Sequence, residues 1–343
     1  MFNNFSKNNT NLLKGVAICL LLWHHLFFNY SMISFSEFNI TGIIAYYGKV
    51  CVAIFIILSG YGLSESFNKK QISFIEFYKK SFTKLYVNYW IIWLIFVPVG
   101  VLLFDRTFKV AYGSHILFKF ILNIFGLQKI IGIDGYNPTW WFMTLIIVLY
   151  FAFPLIKKLM NTRGNLMLII SFLLLFVPTV KIGTSNPMED FGVWIFPFVL
   201  GIYCSNNNLF CKIANVNINK SLKAMVYIIA ILSIMLFRKY GIILTSVRID
   251  GIFGLLIIMF SYEYISKIKY VKTGLEFIGI HSFNIFLFHT FLYFYYFKNL
   301  IYSLRNPIVI FFVLLFVCLL VSMAIETIKK SIAKYSRKFI LKN

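Results

Sequence analysis

Two histidines and a lysine lie on the first apolar segment of the chain, where a membrane-spanning helix ordinarily carries only hydrocarbon side chains. The segment reads KGVAICLLLWHH, with Lys14 at its start and His24 and His25 at its end. An ionisable group inside a bilayer loses hydration, so it is seldom kept without a partner or a task. A neutral imidazole shielded from water can take a proton from a hydroxyl group. The sequence therefore predicts a general base within the membrane.

Helical spacing selects His25 rather than His24 as this base. Lys14 and His25 are eleven residues apart, which is about three helical turns, so they share one face and lie about 16 Å apart along the axis. His24 projects about 100° away from that face. The alternative is that His25 is a packed histidine bonded to a neighbouring carbonyl, and the sequence leaves both interpretations open.

Composition identifies a multi-pass membrane protein. The chain has 343 residues, of which 60% are hydrophobic and 20% aromatic, too little polar surface for an ordinary soluble domain. Hydropathy predicts an all-α bundle of about ten transmembrane helices in one domain, residues 1–343. The predicted spans are 12–30, 43–62, 86–104, 140–157, 166–181, 191–204, 223–238, 251–266, 281–297 and 308–326. Segment 110–127 is interpreted as amphipathic or re-entrant, because Gly113, His115 and Lys119 interrupt it.

Basic residues indicate the orientation of this bundle. If the N-terminus is cytoplasmic, about two thirds of the 33 lysines and arginines face the cytoplasm. We therefore expect cytoplasmic N- and C-termini, a basic cytoplasmic tail at 327–343 and an outward-facing loop at 105–139. Attraction to anionic lipid explains the net charge of +22, which gives no indication of nucleic-acid binding. No CxxC motif, HExxH motif or acidic cluster predicts a metal site, and the oligomeric state is not indicated.

A second group of cations is predicted at the same membrane surface as Lys14. Lys80 and Lys84 are four residues apart in FYKKSFTKLYVNYW, so they share a helix face. Such a cluster can hold phosphates while the acyl end of a carrier extends towards His25. The alternative role of these lysines is to anchor the helix at the membrane surface.

Five motifs, taken in order, resemble the integral-membrane acyltransferase family 3, whose members O-acylate bacterial surface polysaccharides. The spacing from Lys14 to His25 is similar to the family's basic-x10-His signature, and IFIILSGYGL at 54–63 resembles its FFxLSG motif. Lysines occupy the place of its arginine pair at 80 and 84, which keeps the charge but loses the planar fork. TWWFMTLIIVLYFAFP at 139–154 resembles its tryptophan-containing helix, and FIGIHSFNIFLFH at 277–289 its late LGxxSxxIYLxH segment.

The resemblance implies a membrane-bound O-acyltransferase of the bacterial cytoplasmic membrane. Its donor would be acetyl-CoA or another acyl-CoA, and its acceptor a sugar hydroxyl of a cell-surface glycan or lipid-linked precursor. The implied site residues are the catalytic His25, the donor-binding Lys14, Lys80 and Lys84, and the acceptor-side Trp140, Trp141 and His289. His289 has an alternative structural role, and the two tryptophans could instead anchor their helix at the membrane interface.

Two other functional classes fit parts of the sequence. A transporter or flippase of glycan intermediates would also need many spans and a charged site within the membrane. A scaffold without a ligand explains the apolar composition but not the ordered motifs. Two further expectations concern individual positions. Ser59 and Gly60 mark a close helix crossing or a local break, and Asp250, at an outer helix end, is solvated.

Overall fold

The chain folds into helices joined by short turns throughout the residues that the computed structural model describes, which are 5–28, 40–70, 73–177, 187–240 and 246–340. Those ranges contain no β-strand, so the predicted all-α class is confirmed. The α-helices are α1 (Lys7–Phe27), α2 (Ile40–Gly48), α3 (Cys51–Lys70), α4 (Phe74–Leu103), α5 (Phe108–Tyr112), α6 (Ile116–Ile124), α7 (Trp141–Leu173), α8 (Pro187–Asn206), α9 (Leu209–Ala214), α10 (Lys220–Tyr240), α11 (Asp250–Glu263), α12 (Lys269–Ile280), α13 (Ser282–Thr290), α14 (Lys298–Tyr302) and α15 (Pro307–Ile340).

Seven helices in the described part of the chain are long and apolar enough to cross a membrane. An eighth span is present if α12 and the continuation of α13 to Tyr296 count as one, although they are bent by 65°. This confirms a multi-pass membrane bundle, with fewer long helices than the ten spans predicted. The predicted span 191–204 falls on α8, where the apolar helix Gly192–Asn206 is shorter than the others.

The remaining difference between the number of predicted spans and the number of long helices arises in α7, which folds back on itself. Its backbone is non-helical at Arg163, with φ −140° and ψ 48°. Near one end of α7 the Trp141 ring lies 6.2 Å from Trp194, and near the other the Phe172 ring lies 5.4 Å from Phe196. A straight helix would separate residues 141 and 172 by about 46 Å. The two predicted spans 140–157 and 166–181 are therefore antiparallel arms of one interrupted helix, within its described residues.

Glycines bring α1 against its neighbour α12. A Cβ atom built on Gly15 would lie 2.1 Å from Leu275 O, and one on Gly279 would lie 1.8 Å from Asn11 O. Only a residue without a side chain permits so close an approach of two backbones. The helix that carries Lys14 and His25 is thus held rigidly at the crossing.

The predicted close crossing at Gly60 is confirmed between α3 and α8. A Cβ on Gly60 would lie 2.3 Å from Phe198 O, and one on Gly201 would lie 2.1 Å from Ile57 O. Each glycine lies against the backbone of the other helix, so α3 and α8 are in close backbone contact at this crossing.

Two ion pairs tie the largely exposed helix α10 to α11, one near each end. Lys223 lies 2.7 Å from Glu263, which also accepts a hydrogen bond of 2.6 Å from the Tyr227 hydroxyl. Arg238 lies 3.0 Å from Asp250, and both side chains are almost completely buried. The expectation that Asp250 is solvated was therefore wrong. The sequence shows only that Asp250 lies at a helix end, whereas the fold places the Arg238 guanidinium against it.

A compact cap, residues 104–137, covers one end of the bundle. Segment 110–127 does not span: its helix α6 has nine residues, or about 14 Å. Asn123 organises the cap, because its Oδ1 accepts from the Tyr112 hydroxyl at 2.8 Å and from the Tyr136 amide at 3.1 Å. Burial raises the pKa of Tyr136 to about 12, so its hydroxyl stays protonated and donates to Arg106 O at 2.6 Å.

Candidate active site

The structure places His25 of α1 beside His289 of α13. Their ring centroids are 4.9 Å apart. The His289 side chain is completely buried, whereas His25 is half-buried. Among the residues that the structure describes, His25 has no hydrogen-bond partner for its ring, so its nitrogens are available to a substrate.

Hydrogen bonds assign the tautomer of His289. Its Nδ1 lies 3.0 Å from both Ile285 O and Phe286 O. Carbonyl oxygens only accept hydrogen bonds, so Nδ1 of the neutral ring carries the proton. Its Nε2 is therefore an acceptor, and the hydroxyl oxygen of Thr290 lies 3.4 Å away.

His24 has a different environment from His25. Its Nδ1 lies 2.7 Å from Ala45 O on α2, and its ring stacks on Phe28 at 4.9 Å. The contact with Ala45 fastens α2 to the end of α1. The packed-histidine interpretation considered above thus describes His24 and not its neighbour.

A chain of uncharged polar side chains leads from His289 towards the cap. The hydroxyl oxygens of Thr290 and Thr139 are 3.3 Å apart, and Thr139 donates to Asn137 Oδ1 at 2.9 Å. The Nδ2 group of Asn137 is buried without a partner in the described part of the chain. These residues were missed because Asn-Pro-Thr before a tryptophan is also the pattern of an ordinary helix start.

The two predicted acceptor-side tryptophans have different environments. Trp140 is completely buried, and its Nε1 donates to Leu287 O at 2.8 Å. Its ring packs edge-on against Tyr89 at 5.0 Å, so Trp140 holds α13 against the start of α7. A completely buried ring does not face lipid, so the alternative in which Trp140 anchors its helix at the membrane interface does not fit this position. Trp141 is half-buried beside Trp194.

The predicted cations gather at the opposite end of the bundle from the cap, here called the basic end and defined by Lys14 and Lys84. Lys14 is half-buried and lies close enough to Lys84 and Lys7 to be influenced by their charges. Lys80 is exposed one turn before Lys84 on α4. The structure thus brings together two cations that are 70 residues apart in the sequence.

A further cation at the basic end comes from α15, which continues as a helix through the region predicted to be a tail. Lys329 forms an ion pair with Glu326 and donates to Asn88 Oδ1. Asn88 in turn donates to the carbonyl of Lys84 at 2.8 Å. Lys329 is therefore fixed one turn from Lys84.

Comparison with known families identifies the family of this chain. The family described as an acyltransferase domain, acyltransferase family 3, matches residues 8–327, which is nearly the whole chain. The chain belongs to acyltransferase family 3. Comparisons with curated proteins and with solved structures found no match. The resemblance of the ordered motifs is confirmed, and the protein is a multi-pass membrane acyltransferase.

The candidate site of this family 3 acyltransferase was only partly predictable. Periodicity paired Lys14 with His25, and the motif order included His289. The contact between the two histidines depends on how α1 packs against α13, which a single sequence does not show. Lys329 was hidden because a basic residue after a last apolar helix is ordinarily interpreted as a surface anchor.

Proposed function

We propose that this acyltransferase moves an acyl group, acetyl in the simplest case, from acyl-CoA to a sugar hydroxyl of a cell-surface glycan or its lipid-linked precursor. The observation that supports this most strongly is His25, half-buried beside His289, with no hydrogen-bond partner for its ring among the described residues. A base placed in this way can accept the proton of a hydroxyl nucleophile without first breaking a hydrogen bond within the protein.

The proposed reaction is direct acyl transfer. His25 takes the hydroxyl proton as the sugar oxygen attacks the thioester carbonyl. The carbon–sulfur bond then breaks, and the departing thiolate takes the proton from the imidazolium. The products are the sugar ester, free CoA and a neutral His25. A route in which His25 is itself acylated before the sugar attacks stays open.

The donor is proposed to bind at the basic end. The phosphates of CoA need positive charge, and Lys14, Lys80 and Lys84 supply it together with the newly located Lys329. Lys14 and His25 are about 16 Å apart along one helix face, a distance suited to the extended pantetheine arm. The thioester would thus reach the histidine while the nucleotide stays at the surface.

The acceptor is proposed to arrive from the cap end. The polar chain connects His289 to Asn137 of the cap, and Trp141 is the more accessible of the two tryptophans. Trp140 contributes indirectly, because it fixes the backbone two residues before His289. An aromatic ring such as that of Trp141 can stack on the apolar face of a sugar.

Transfer of label by purified protein tests this proposal against the transporter alternative. The protein in detergent is given acetyl-CoA labelled in the acetyl group together with a glycan or monosaccharide acceptor. We expect label in ester linkage on the sugar, and none with His25→Ala. A folded wild-type protein that binds sugar but leaves it unlabelled would contradict the proposal and favour transport.

A further inference from the structure

Proton counting along the buried polar chain shows that the chain is incomplete by itself. Thr139 has one hydroxyl proton, which it donates to Asn137 Oδ1. The contact between Thr139 and Thr290 must then use the single proton of Thr290. No hydroxyl proton then remains to be donated to His289 Nε2, which lies 3.4 Å from the Thr290 oxygen. If Thr290 instead donates to Nε2, its 3.3 Å contact with Thr139 lacks a proton.

The other end of the chain has the opposite deficiency. The Nδ2 group of Asn137 carries two protons, yet it is buried and finds no acceptor among the residues described. Asn137 itself has no exposed surface. A buried donor without an acceptor is costly. The chain thus lacks one donor at the histidine end and one acceptor at the asparagine end.

We propose that Asn137, Thr139, Thr290 and His289 form the subsite for the acceptor sugar, which they hold by hydroxyl groups adjacent to the one that is acylated. This inference rests on the proposed function. A sugar hydroxyl is both a donor and an acceptor. One hydroxyl can therefore accept from Thr290 and donate to His289 Nε2, while a neighbouring hydroxyl accepts from Asn137 Nδ2. The reacting hydroxyl then lies on the His25 side of His289.

The chemistry of the subsite also defines the substrate class. Its hydroxyls, carboxamide and neutral imidazole carry no formal charge. A carboxylate or phosphate brought into it would lose its hydration without gaining a counter-ion. We therefore assign to this subsite a neutral sugar residue that bears a hydroxyl next to the acylated position.

The test measures acetyl transfer from labelled acetyl-CoA to methyl glucopyranoside, methyl galactopyranoside and methyl mannopyranoside, and to monodeoxy analogues of the sugar that is used best. Thr290→Val removes the hydroxyl but keeps the shape. It should raise the apparent KM for the sugar about tenfold, in line with loss of one buried hydrogen bond, and leave the KM for acetyl-CoA unchanged. Thr290→Ser should restore the sugar KM.

Thr144→Val is the matched control. Thr144 is also completely buried on α7, and its hydroxyl donates to Gly126 O at 2.6 Å, away from this chain. The variant loses a comparable hydrogen bond, so it controls for a general loss of stability. Its sugar KM should equal that of the wild type.

The deoxy analogues provide a readout that a purely structural role would not change. The analogue that lacks the adjacent hydroxyl should bind wild-type protein about tenfold more weakly, with little further loss in Thr290→Val, because both changes remove the same interaction. Additive losses, or an unchanged sugar KM in folded Thr290→Val, would overturn the subsite alone. Wild-type protein that acylates no sugar would overturn the proposed function and the subsite with it.

Discussion

At the residue scale, two adjacent histidines differ in what their ring nitrogens contact. The Nδ1 atom of His24 is hydrogen-bonded to the Ala45 carbonyl on α2, whereas His25 contacts the ring of His289. Neighbouring positions on a helix point in directions about 100° apart, so one residue can fasten helices while the next faces a substrate. The two side chains are accordingly expected to respond differently to substitution.

His25→Ala should lower acyl transfer about 100-fold or more while the protein remains folded, because a methyl group cannot accept a proton. His24→Ala should chiefly reduce thermal stability, since it removes one hydrogen bond between α1 and α2. Transfer rates and detergent-phase melting temperatures of both variants check this. Equal loss of activity in both would indicate that the pair acts through packing.

Lys84→Gln should raise the apparent KM for acyl-CoA with little change in the KM for the acceptor, because it removes one phosphate-binding charge at the basic end. Lys79→Gln is the matched control: Lys79 is also exposed on α4 but lies on a different face from Lys84. Steady-state kinetics with both substrates varied separately make the comparison. An effect confined to acceptor affinity would show that the donor binds elsewhere.

At the scale of secondary-structure elements, hydropathy predicted helices at all ten positions but not their connections. The reversal within α7 was predicted, because hydropathy separated the spans 140–157 and 166–181. What it did not show is that the helix is interrupted only locally, at Arg163. The shortness of the apolar helix in α8 was equally invisible. Asp250 is buried because Arg238 of α10 pairs with it. This contact depends on how α10 packs against α11, which the position of Asp250 in the sequence does not show.

The Arg238 and Asp250 pair should contribute strongly to the attachment of α10. Asp250→Asn leaves a guanidinium buried without its counter-charge, which typically costs about 3 kcal/mol or more. Asp134→Asn is the control, since Asp134 is exposed in a 3.5 Å pair with Lys129 and such pairs contribute about 1 kcal/mol or less. Thermal unfolding in detergent should show a large decrease only for the first variant; similar melting temperatures would contradict the assignment.

At the scale of the whole molecule, the basic end and the cap end define two faces of the bundle. The charge distribution predicts that the basic end is cytoplasmic. Single cysteines replacing Asn68 and Asp134, in a background without the five native cysteines, test this with an impermeant maleimide. In intact cells the cysteine at 134 should be labelled and that at 68 should not. Labelling at 68 alone would reverse the topology.

We propose that a donor at the basic end and an acceptor at the cap end meet at His25 across the bilayer. Sealed inside-out vesicles that contain glycan in their lumen test it directly, with labelled acetyl-CoA added outside. We predict label on the luminal glycan, and none in right-side-out vesicles treated in the same way or in inside-out vesicles carrying His25→Ala. Transfer only to acceptors on the same face as the added acetyl-CoA would contradict the claim.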